Sequence, residues 1–213
     1  MPNKPALSSS IVTFLGLWMM LNVGGVMAGD ALDPQALKGS NAVRAAQQEL
    51  KLQGMLYAVV AIEAQRLYLM QDGRLLKAYP VSTSAFGPGS LEGSNQTPLG
   101  LHKIKQKFGE GEPQGMVFKA RKPTGRIAEI IREPKDVPED DVTTRILWLD
   151  GMEPGINQGG RVDSYKRYIY IHGTPEEGLI GRPASHGCVR MLNADVLEVF
   201  ERLPEGALVY ITP

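Results

Sequence analysis

Short apolar runs separated by turn residues extend from residue 57 to the end of the chain. Tyr57–Glu63 and Arg66–Gln71 are the first two, and the Asp72-Gly73 pair that follows them is a hairpin signal. Further strands are predicted at Leu75–Ser84, Leu99–Lys105, Ile127–Ile131, Arg145–Leu149, Arg167–His172 and Ala207–Ile211. Short strands at this spacing predict a mostly β fold, a sandwich or barrel with a few short helices.

Two segments have the pattern of helices. Residues 194–202 follow Asn193, a candidate cap, and Pro204-Glu205-Gly206 ends the pattern. Residues 29–54 predict a helical lead-in, which is either a packing helix or a spacer. The strands and the last helix then form one domain, residues 55–213.

Two stretches interrupt the strands. Phe86–Gln96 is rich in Gly, Ser and Pro, and Lys107–Thr124 with Glu133–Asp141 is polar and contains several Gly and Pro residues. Long irregular loops in a compact domain often act as lids or binding loops. A mobile surface loop without a role is the equal alternative.

The N-terminus predicts export. Lys4 is followed by an uncharged run of 18 residues, Ile11–Ala28, and then by Gly29 and Asp30. A basic start, an apolar run and small residues before a polar segment are typical of a secretory signal peptide. The run is also just long enough to span a bilayer, so residues 1–28 are a cleaved signal or a signal anchor in the inner membrane.

Charge and composition narrow the choice of partners. The chain has 23 basic and 23 acidic residues, a net charge of zero. Nucleic-acid-binding domains usually carry a basic excess, so no nucleic-acid partner is expected. No motif calls for a cofactor.

The candidate chemistry lies in a short segment that contains the only cysteine and two of the three histidines. His172 ends an apolar strand, and the glycines between it and Cys188 allow the chain to fold back. A thiolate is a nucleophile, and an imidazole can take the proton of a thiol. A carbonyl beside His172, such as that of Gly173, can orient the imidazole, and backbone N–H groups around Gly187 and Cys188 can stabilise an oxyanion.

Other interpretations of these residues are a buried structural thiol and a zinc site made of His172, His186 and Cys188. The zinc site has no clear fourth ligand, and no metal is expected. His102, the third histidine, lies in a predicted strand and is expected to be a packing or surface residue.

Four segments resemble one protein family. RYIYIHGT at 167–174 and ASHGCVRM at 184–191 are similar to the catalytic motif of the YkuD-type L,D-transpeptidases. VVAIEAQRLYLMQDGRLLKAYPVSTS at 59–84 resembles the opening hairpin of that family, and TPLGLHKI at 97–104 resembles its next strand. The resemblance covers about residues 55–213.

The resemblance implies a role for each matching residue. Cys188 is the expected nucleophile and His172 the expected general base. His186, Gly187 and Gly173 are expected to shape the site and its oxyanion hole. Ser185 and Arg190 are the candidate substrate-binding residues, and Arg190 is expected to hold either a substrate carboxylate or a loop.

The resemblance also implies acyl transfer in the bacterial periplasm or cell envelope. Cys188 would attack the L-centre carbonyl of a peptidoglycan tetrapeptide stem, and an amine on a second stem or an envelope protein would take the acyl group. MEPGINQGGRVDSYK at 152–166 departs from the family's commoner sequence there and leaves the acceptor open. An L,D-carboxypeptidase or amidase with the same site, and a non-catalytic cell-wall-binding protein, are the alternatives.

Overall fold

The computed structural model describes Met1 and residues 55–138 and 140–213. These residues form ten β-strands and one α-helix. The expected mostly β fold is confirmed. The predicted segments 1–28 and 29–54 lie outside the described residues. The elements are β1 (Leu56–Ala61), β2 (Arg66–Gln71), β3 (Arg74–Ser82), β4 (Gly100–Phe108), β5 (Met116–Lys119), β6 (Lys122–Ile127), β7 (Val142–Gly151), β8 (Tyr170–Gly173), β9 (Val189–Met191), α1 (Asn193–Arg202) and β10 (Leu208–Thr212), with short 3-10 helices at Gly160–Val162 and Glu177–Leu179.

The strands form one sheet that closes on itself. The order is β4-β10-β1-β2-β3-β9-β8-β7-β5-β6, and β4 also pairs with β7, so that eight strands form a ring and the β5–β6 hairpin extends from β7. The pairing of β8 with β9 is parallel, whereas β7 pairs with β8 antiparallel. The strands β8 and β9, at the two ends of the segment from His172 to Cys188, therefore lie inside a continuous hydrogen-bonded sheet.

Alternate residues of the strands face two different apolar clusters. Leu147, Ile171 and Val189 face the main core, in which α1 buries Val196 and Val199. Their sequence neighbours face the opposite side, where a smaller cluster forms from Met116, Phe118, Ile146, Trp148 and Tyr170, with Cys188 packed against it. Because side chains alternate along a strand, this second side carries the even-numbered residues of β7 and β8.

The start of α1 differs from the sequence prediction. The residue before the helix is Leu192, which makes no side-chain cap, and Asn193 is the first helical residue. The Asn193 side chain is buried and bonds Thr174 O and the hydroxyl of Thr143 instead. An asparagine at a helix start has the same sequence signature whether it caps the helix or connects it to a neighbouring strand.

The β5–β6 hairpin corrects two further predictions. The strand predicted at Ile127–Ile131 is wrong, because β6 ends at Ile127 and the chain leaves the sheet there. The stretch Lys107–Thr124 was expected to be irregular but contains β5 and the start of β6.

Among the described residues, the helices are too short or too polar to span a bilayer.

Candidate active site

Cys188 and His172 lie on the same face of the β8–β9 pair. His172 is opposite Arg190 in the parallel register, and Cys188 precedes Arg190 by two residues. Residues two apart on a strand share a face, so the cysteine is the diagonal neighbour of the histidine, with Cα atoms about 8 Å apart from standard strand spacings. The parallel register thus places these two residues on one face of adjacent strands.

The Cys188 sulfur is held between two backbone groups of the segment before and at the start of β8. The Tyr170 N–H donates to Sγ at 3.4 Å, and the thiol donates to Tyr168 O, also at 3.4 Å. The side chain is partly exposed and is the one free thiol. Burial of the sulfur raises the pKa of Cys188 to about 12, although the Tyr170 N–H opposes this. The resting group is a thiol rather than a thiolate.

His172 is 2% exposed and has a fixed orientation. Its Nδ1 lies 2.7 Å from Gly173 O, so Nδ1 carries the proton and Nε2 is left with its lone pair. The orienting partner predicted from the sequence is thus confirmed. Burial lowers the pKa of His172 to about 4, and the nearby carboxylate of Asp140 only partly opposes this. The imidazole is therefore a neutral base at ordinary pH.

A tight turn before β9 presents Cys188. Ser185 is buried, and its Oγ donates to Cys188 O at 2.6 Å and accepts the Gly187 N–H at 3.2 Å. Thr97 donates its hydroxyl to Gly187 O at 3.0 Å. Ser185, expected to contact substrate, is thus part of the turn. The Gly187 N–H, one of the expected oxyanion donors, donates to Ser185 Oγ.

Gly187 is required by its backbone conformation, and its surroundings leave little room for a side chain. Its φ is +124°, a region that L side chains rarely adopt. A Cβ there would lie 3.3 Å from Gln96 O and 3.4 Å from the Ile169 side chain. Gly187 therefore shapes the site by allowing the 95–96 loop to approach the cysteine turn closely.

Gly173 has a similar role beneath the histidine. A Cβ at this position would lie 2.6 Å from Asn193 Oδ1 and 2.9 Å from Thr143 O. The missing side chain lets the start of α1 pack against β8, where Asn193 bonds Thr174 O at 2.8 Å. Gly173 thus fixes the strand that carries His172.

Arg190 is a buried ion-pair residue. Its side chain is 1% exposed, and its guanidinium contacts Glu176 at 2.8 Å and Asp140 at 2.7 Å. Of the two roles predicted for Arg190, holding a substrate carboxylate is not supported, because two protein carboxylates occupy the guanidinium. Holding a loop is supported, since Asp140 belongs to the segment between β6 and β7.

Asp140 connects Arg190 to His186. Its Oδ2 lies 3.0 Å from His186 Nδ1, and His186 is half exposed and in ring contact with Phe86. Burial works to raise the pKa of Asp140, but the charge and hydrogen bonds of Arg190, the His172 imidazole and the bond to His186 outweigh it and lower this pKa. His186 therefore contributes to the site through Asp140, at its rim.

The segment between β6 and β7 is docked beside the site. Glu176 is buried and accepts the Val137 N–H at 2.7 Å as well as Arg190. Ile131 exchanges backbone hydrogen bonds with Pro175 O and the Gly178 N–H. A Cβ on Gly178 would lie 2.1 Å from Glu133 O, so only glycine permits this approach. Among the described residues, these contacts bind the segment to the domain.

Sequence reasoning missed Asp140 and Glu176. Each is an acidic residue in an irregular segment, and neither has a position relative to the cysteine motif that would indicate a role in the site. The only available signal was Arg190, a charged residue at a strand position whose neighbours are apolar. A buried arginine needs carboxylate partners, but the sequence does not say which ones.

An aromatic cluster borders the thiol. Trp148 stacks on Tyr165 with ring centroids 4.0 Å apart and contacts the rings of Tyr168 and Tyr170, each at 5.6 Å. Arg121 lies over Trp148, with Cζ 4.5 Å from the ring centroid. Both tyrosine rings thus meet Trp148, although Tyr168 precedes β8 and does not belong to it.

The zinc alternative finds no geometric support in the described part of the chain. No group of three His, Cys, Asp or Glu side chains there is arranged to hold a metal ion. His102, the third histidine, is buried between Gly100 O at 3.0 Å and Ser164 Oγ at 2.9 Å. It is a packing residue, as predicted.

Several known proteins are similar to this chain in part. YkuD of Bacillus licheniformis is 44% identical over 62 residues, which are 27% of this chain and 38% of that protein. YqjB of Bacillus subtilis is 45% identical over 46 residues, 22% of this chain and 26% of that protein. The chain thus matches well under half the length of these curated relatives.

Alignments with solved structures cover more of the chain but at lower sequence identity. The crystal structure of the L,D-transpeptidase from Xylanimonas cellulosilytica aligns with 84% of this chain and 70% of its own, at 18% identity and a TM-score of 0.47. The complex of LdtMt1 with imipenem aligns with 74% of this chain and 58% of its own, at 16% identity and a TM-score of 0.44.

The family comparison covers most of the chain. The model of the L,D-transpeptidase catalytic domain, YkuD, matches residues 56–211, which span nine of the ten described strands in full, β10 except for its last residue, α1 and the cysteine turn. The chain therefore belongs to the YkuD family of L,D-transpeptidase catalytic domains.

Proposed function

We propose that this protein is a peptidoglycan L,D-transpeptidase in which Cys188 is the nucleophile and His172 is the general base. The observation that carries the proposal is the shared face of β8 and β9, on which a thiol and a neutral, oriented imidazole are diagonal neighbours. Membership of the family supplies the reaction class.

Because the Cys188 thiol and the His172 imidazole are both neutral, they favour a mechanism in which the thiol proton moves to the imidazole as the S–C bond forms. The Cys188 thiol gives its proton to His172 Nε2 while Sγ attacks the L-centre carbonyl carbon of a tetrapeptide stem. The resulting tetrahedral intermediate collapses, the C–N bond to the terminal D-residue breaks, and His172 returns the proton to the leaving amine. The product is a thioester of the shortened stem on Cys188.

The second half of the reaction repeats these steps in reverse order. An acceptor amine attacks the thioester carbon and gives its proton to His172, and the proton then returns to the departing sulfur. An amine on a second stem yields a 3→3 cross-link, and an amine on an envelope protein yields an anchored protein. Water as the acceptor would yield a free tripeptide stem, the carboxypeptidase outcome.

Two backbone amides are suited to stabilise the oxyanion. The Tyr170 N–H already points at Sγ, and the Cys188 N–H belongs to the nucleophile itself. The carbonyl oxygen of a substrate bonded to Sγ would develop its negative charge beside them. Arg190 and Asp140 act on the imidazole through their charges, with Asp140 raising the pKa of His172 and Arg190 lowering it.

The proposed setting is the periplasm or cell envelope, where peptidoglycan stems are available. The uncharged run at Ile11–Ala28 supports it as an export signal. The mass of the N-terminus of the exported protein tests this: loss of about 28 residues indicates a cleaved signal, an intact N-terminus in the membrane fraction indicates an anchor, and intact protein in the cytoplasm contradicts the proposal.

The activity is tested by incubating the purified protein with a disaccharide-tetrapeptide and identifying the products by mass spectrometry. Cross-linked dimer with release of the terminal residue is the expected result. Tripeptide alone assigns the hydrolytic alternative, and no product from the wild type contradicts the proposal. Cys188→Ser is the control and should lose the activity.

A further inference from the structure

We infer that Arg121 binds the terminal carboxylate of the donor peptide and makes the enzyme selective for stems that end in a free acid. The inference rests on the proposed function, because it assigns the substrate group that this arginine contacts. It concerns a residue on the β5–β6 hairpin, outside the cysteine motif.

The hairpin presents Arg121 through an unusual turn. Lys119 pairs with Lys122, so Ala120 and Arg121 are the two central residues of the connection. Their φ angles are +46° and +66°, both in the left-handed region that glycine and asparagine normally occupy in such turns. The chain thus places a long cationic side chain at a position where the local backbone favours a small residue.

The Arg121 guanidinium is seated on the aromatic cluster beside the thiol. Its Cζ lies 4.5 Å from the Trp148 ring centroid and 5.4 Å from that of Tyr168. Its Nη1 donates to the Tyr170 hydroxyl at 3.0 Å. Stacking on aromatic faces and one hydrogen bond fix the plane of the guanidinium but leave most of its N–H donors free.

The charge of Arg121 has no counter-ion on residues 55–138 and 140–213. No carboxylate there lies within ion-pair distance of it, whereas Arg190 pairs with Glu176 and Asp140. Arg167, also near the thiol, donates to two backbone carbonyls, those of Gly89 and Gln96. A partly exposed, oriented guanidinium with free donors is a suitable site for a carboxylate, which it can bind through two parallel hydrogen bonds.

The location matches one carboxylate of the donor. Tyr170 contacts Cys188 Sγ with its backbone N–H and Arg121 with its hydroxyl, so one tyrosine side chain separates the nucleophile from the guanidinium. In a tetrapeptide stem the terminal carboxylate is three bonds from the attacked carbonyl carbon, about one residue length or 3.6 Å. Together with the S–C bond, the carboxylate oxygen and a hydrogen bond of about 3 Å, this length lets a peptide with its carbonyl at Sγ present its terminal carboxylate to Arg121 past the Tyr170 ring.

The test compares a disaccharide-tetrapeptide with its C-terminal amide, using the full chain and the Arg121→Gln and Arg121→Lys variants. The wild type should favour the free acid by about 10- to 100-fold in kcat/KM, mainly through KM, because a charge-assisted hydrogen bond is lost with the amide. Arg121→Gln should lose this preference, because its turnover of the free acid falls far more than its turnover of the amide, and Arg121→Lys should keep part of the preference.

Lys122→Gln is the matched control, because Lys122 is an exposed cation next to Arg121 in the same hairpin. It should retain the preference for the free acid. An Arg121→Gln enzyme that keeps the full preference, or that loses activity equally on both peptides, would overturn the inference and leave the side chain with a structural role only.

A second readout does not depend on transpeptidation. The rate of Cys188 alkylation by iodoacetate, relative to neutral iodoacetamide, reports the attraction of a carboxylate to the site, and Cys188 is the only thiol. This ratio should fall about 3-fold in Arg121→Gln and stay constant in Lys122→Gln. A wild type that turns over neither peptide contradicts the proposed function, whereas an unchanged alkylation ratio contradicts carboxylate binding by Arg121.

Discussion

His172 Nδ1 lies 2.7 Å from the carbonyl oxygen of Gly173, the next residue of the same strand. This bond requires the proton on Nδ1 and leaves the lone pair on Nε2, the atom proposed to act as base. Gly173 is itself fixed, because the space where its Cβ would be is occupied by Asn193 and Thr143. The orientation of the base therefore depends on contacts of α1 and β7, outside the cysteine motif.

The first prediction concerns the acid limb of activity. Because burial lowers the pKa of His172 to about 4, the imidazole stays neutral as the pH falls through 6.5, and activity should be lost only near pH 4. The measurement is kcat/KM against pH from 3.5 to 9. An acid limb with an apparent pKa near 6.5 would contradict the assigned environment of the base.

The second prediction concerns stability in acid. The pKa of buried His102, like that of His172, is lowered from 6.5 to about 4, so the unfolded chain binds more protons than the native protein between these values. The contribution of these two histidines to the free energy of unfolding is therefore fully present above pH 6.5. It declines as the pH falls to about 4, by up to about 1.4 kcal/mol per pH unit for each histidine. In urea unfolding, the dependence of stability on pH should be about half as steep in His102→Gln as in the wild type. An unchanged dependence would contradict the prediction.

The third prediction concerns the segment between β6 and β7. Glu176→Ala removes the acceptor of the Val137 N–H and one of the two carboxylates on buried Arg190. The free energy of unfolding should fall by about 3 kcal/mol, as when one partner of a buried ion pair is removed. Hydrogen exchange should quicken at the Val137 amide.

The control for this variant is Glu129→Ala, an exposed acidic residue of the same segment. It should change neither the stability by more than about 0.5 kcal/mol nor the exchange at Val137. Equal effects of the two variants would show that the buried ion pair does not dock the segment.

The fourth prediction separates backbone strain from crowding at the cysteine turn. Gly187→Ala and Gly181→Ala both place a side chain at positive φ, +124° and +94°, but only at Gly187 would the new Cβ press on the 95–96 loop. Each should lose about 1–3 kcal/mol of stability. Only Gly187→Ala should also lower kcat, measured on folded protein. A similar loss of kcat in Gly181→Ala would contradict a specific role for the close approach.

Where apolar and turn residues alternated clearly, the sequence predicted the strands. β2 has the predicted bounds, and β1, β3, β4, β7, β8 and β10 overlap the predicted segments. The pair Cys188 and His172 was also predictable, because both lie in a short, distinctive motif. The hairpin β5–β6 was missed because its turn is Ala120-Arg121, which lacks the Asn or Gly that usually marks such a connection.

The surroundings of the pair could not be predicted. Asp140 and Glu176 reach Arg190 only because the segment after β6 docks on the end of β8, and that contact depends on the absence of a side chain at Gly178. Arg121 meets Trp148 and Tyr170 through the pairing of β5 with β7. Contacts between distant segments follow from the whole sheet and have no local sequence signal.

Cys188 should carry the acyl group during turnover, and the mass of the intact protein at that stage reveals whether it does. After rapid mixing with a disaccharide-tetrapeptide and acid quenching, the wild type should gain the mass of the donor minus the mass of the free terminal amino acid that is released. Peptide mapping should place that adduct on Cys188, and Cys188→Ala should show neither adduct nor product. Product formation by Cys188→Ala, or an adduct on another residue, would contradict the account.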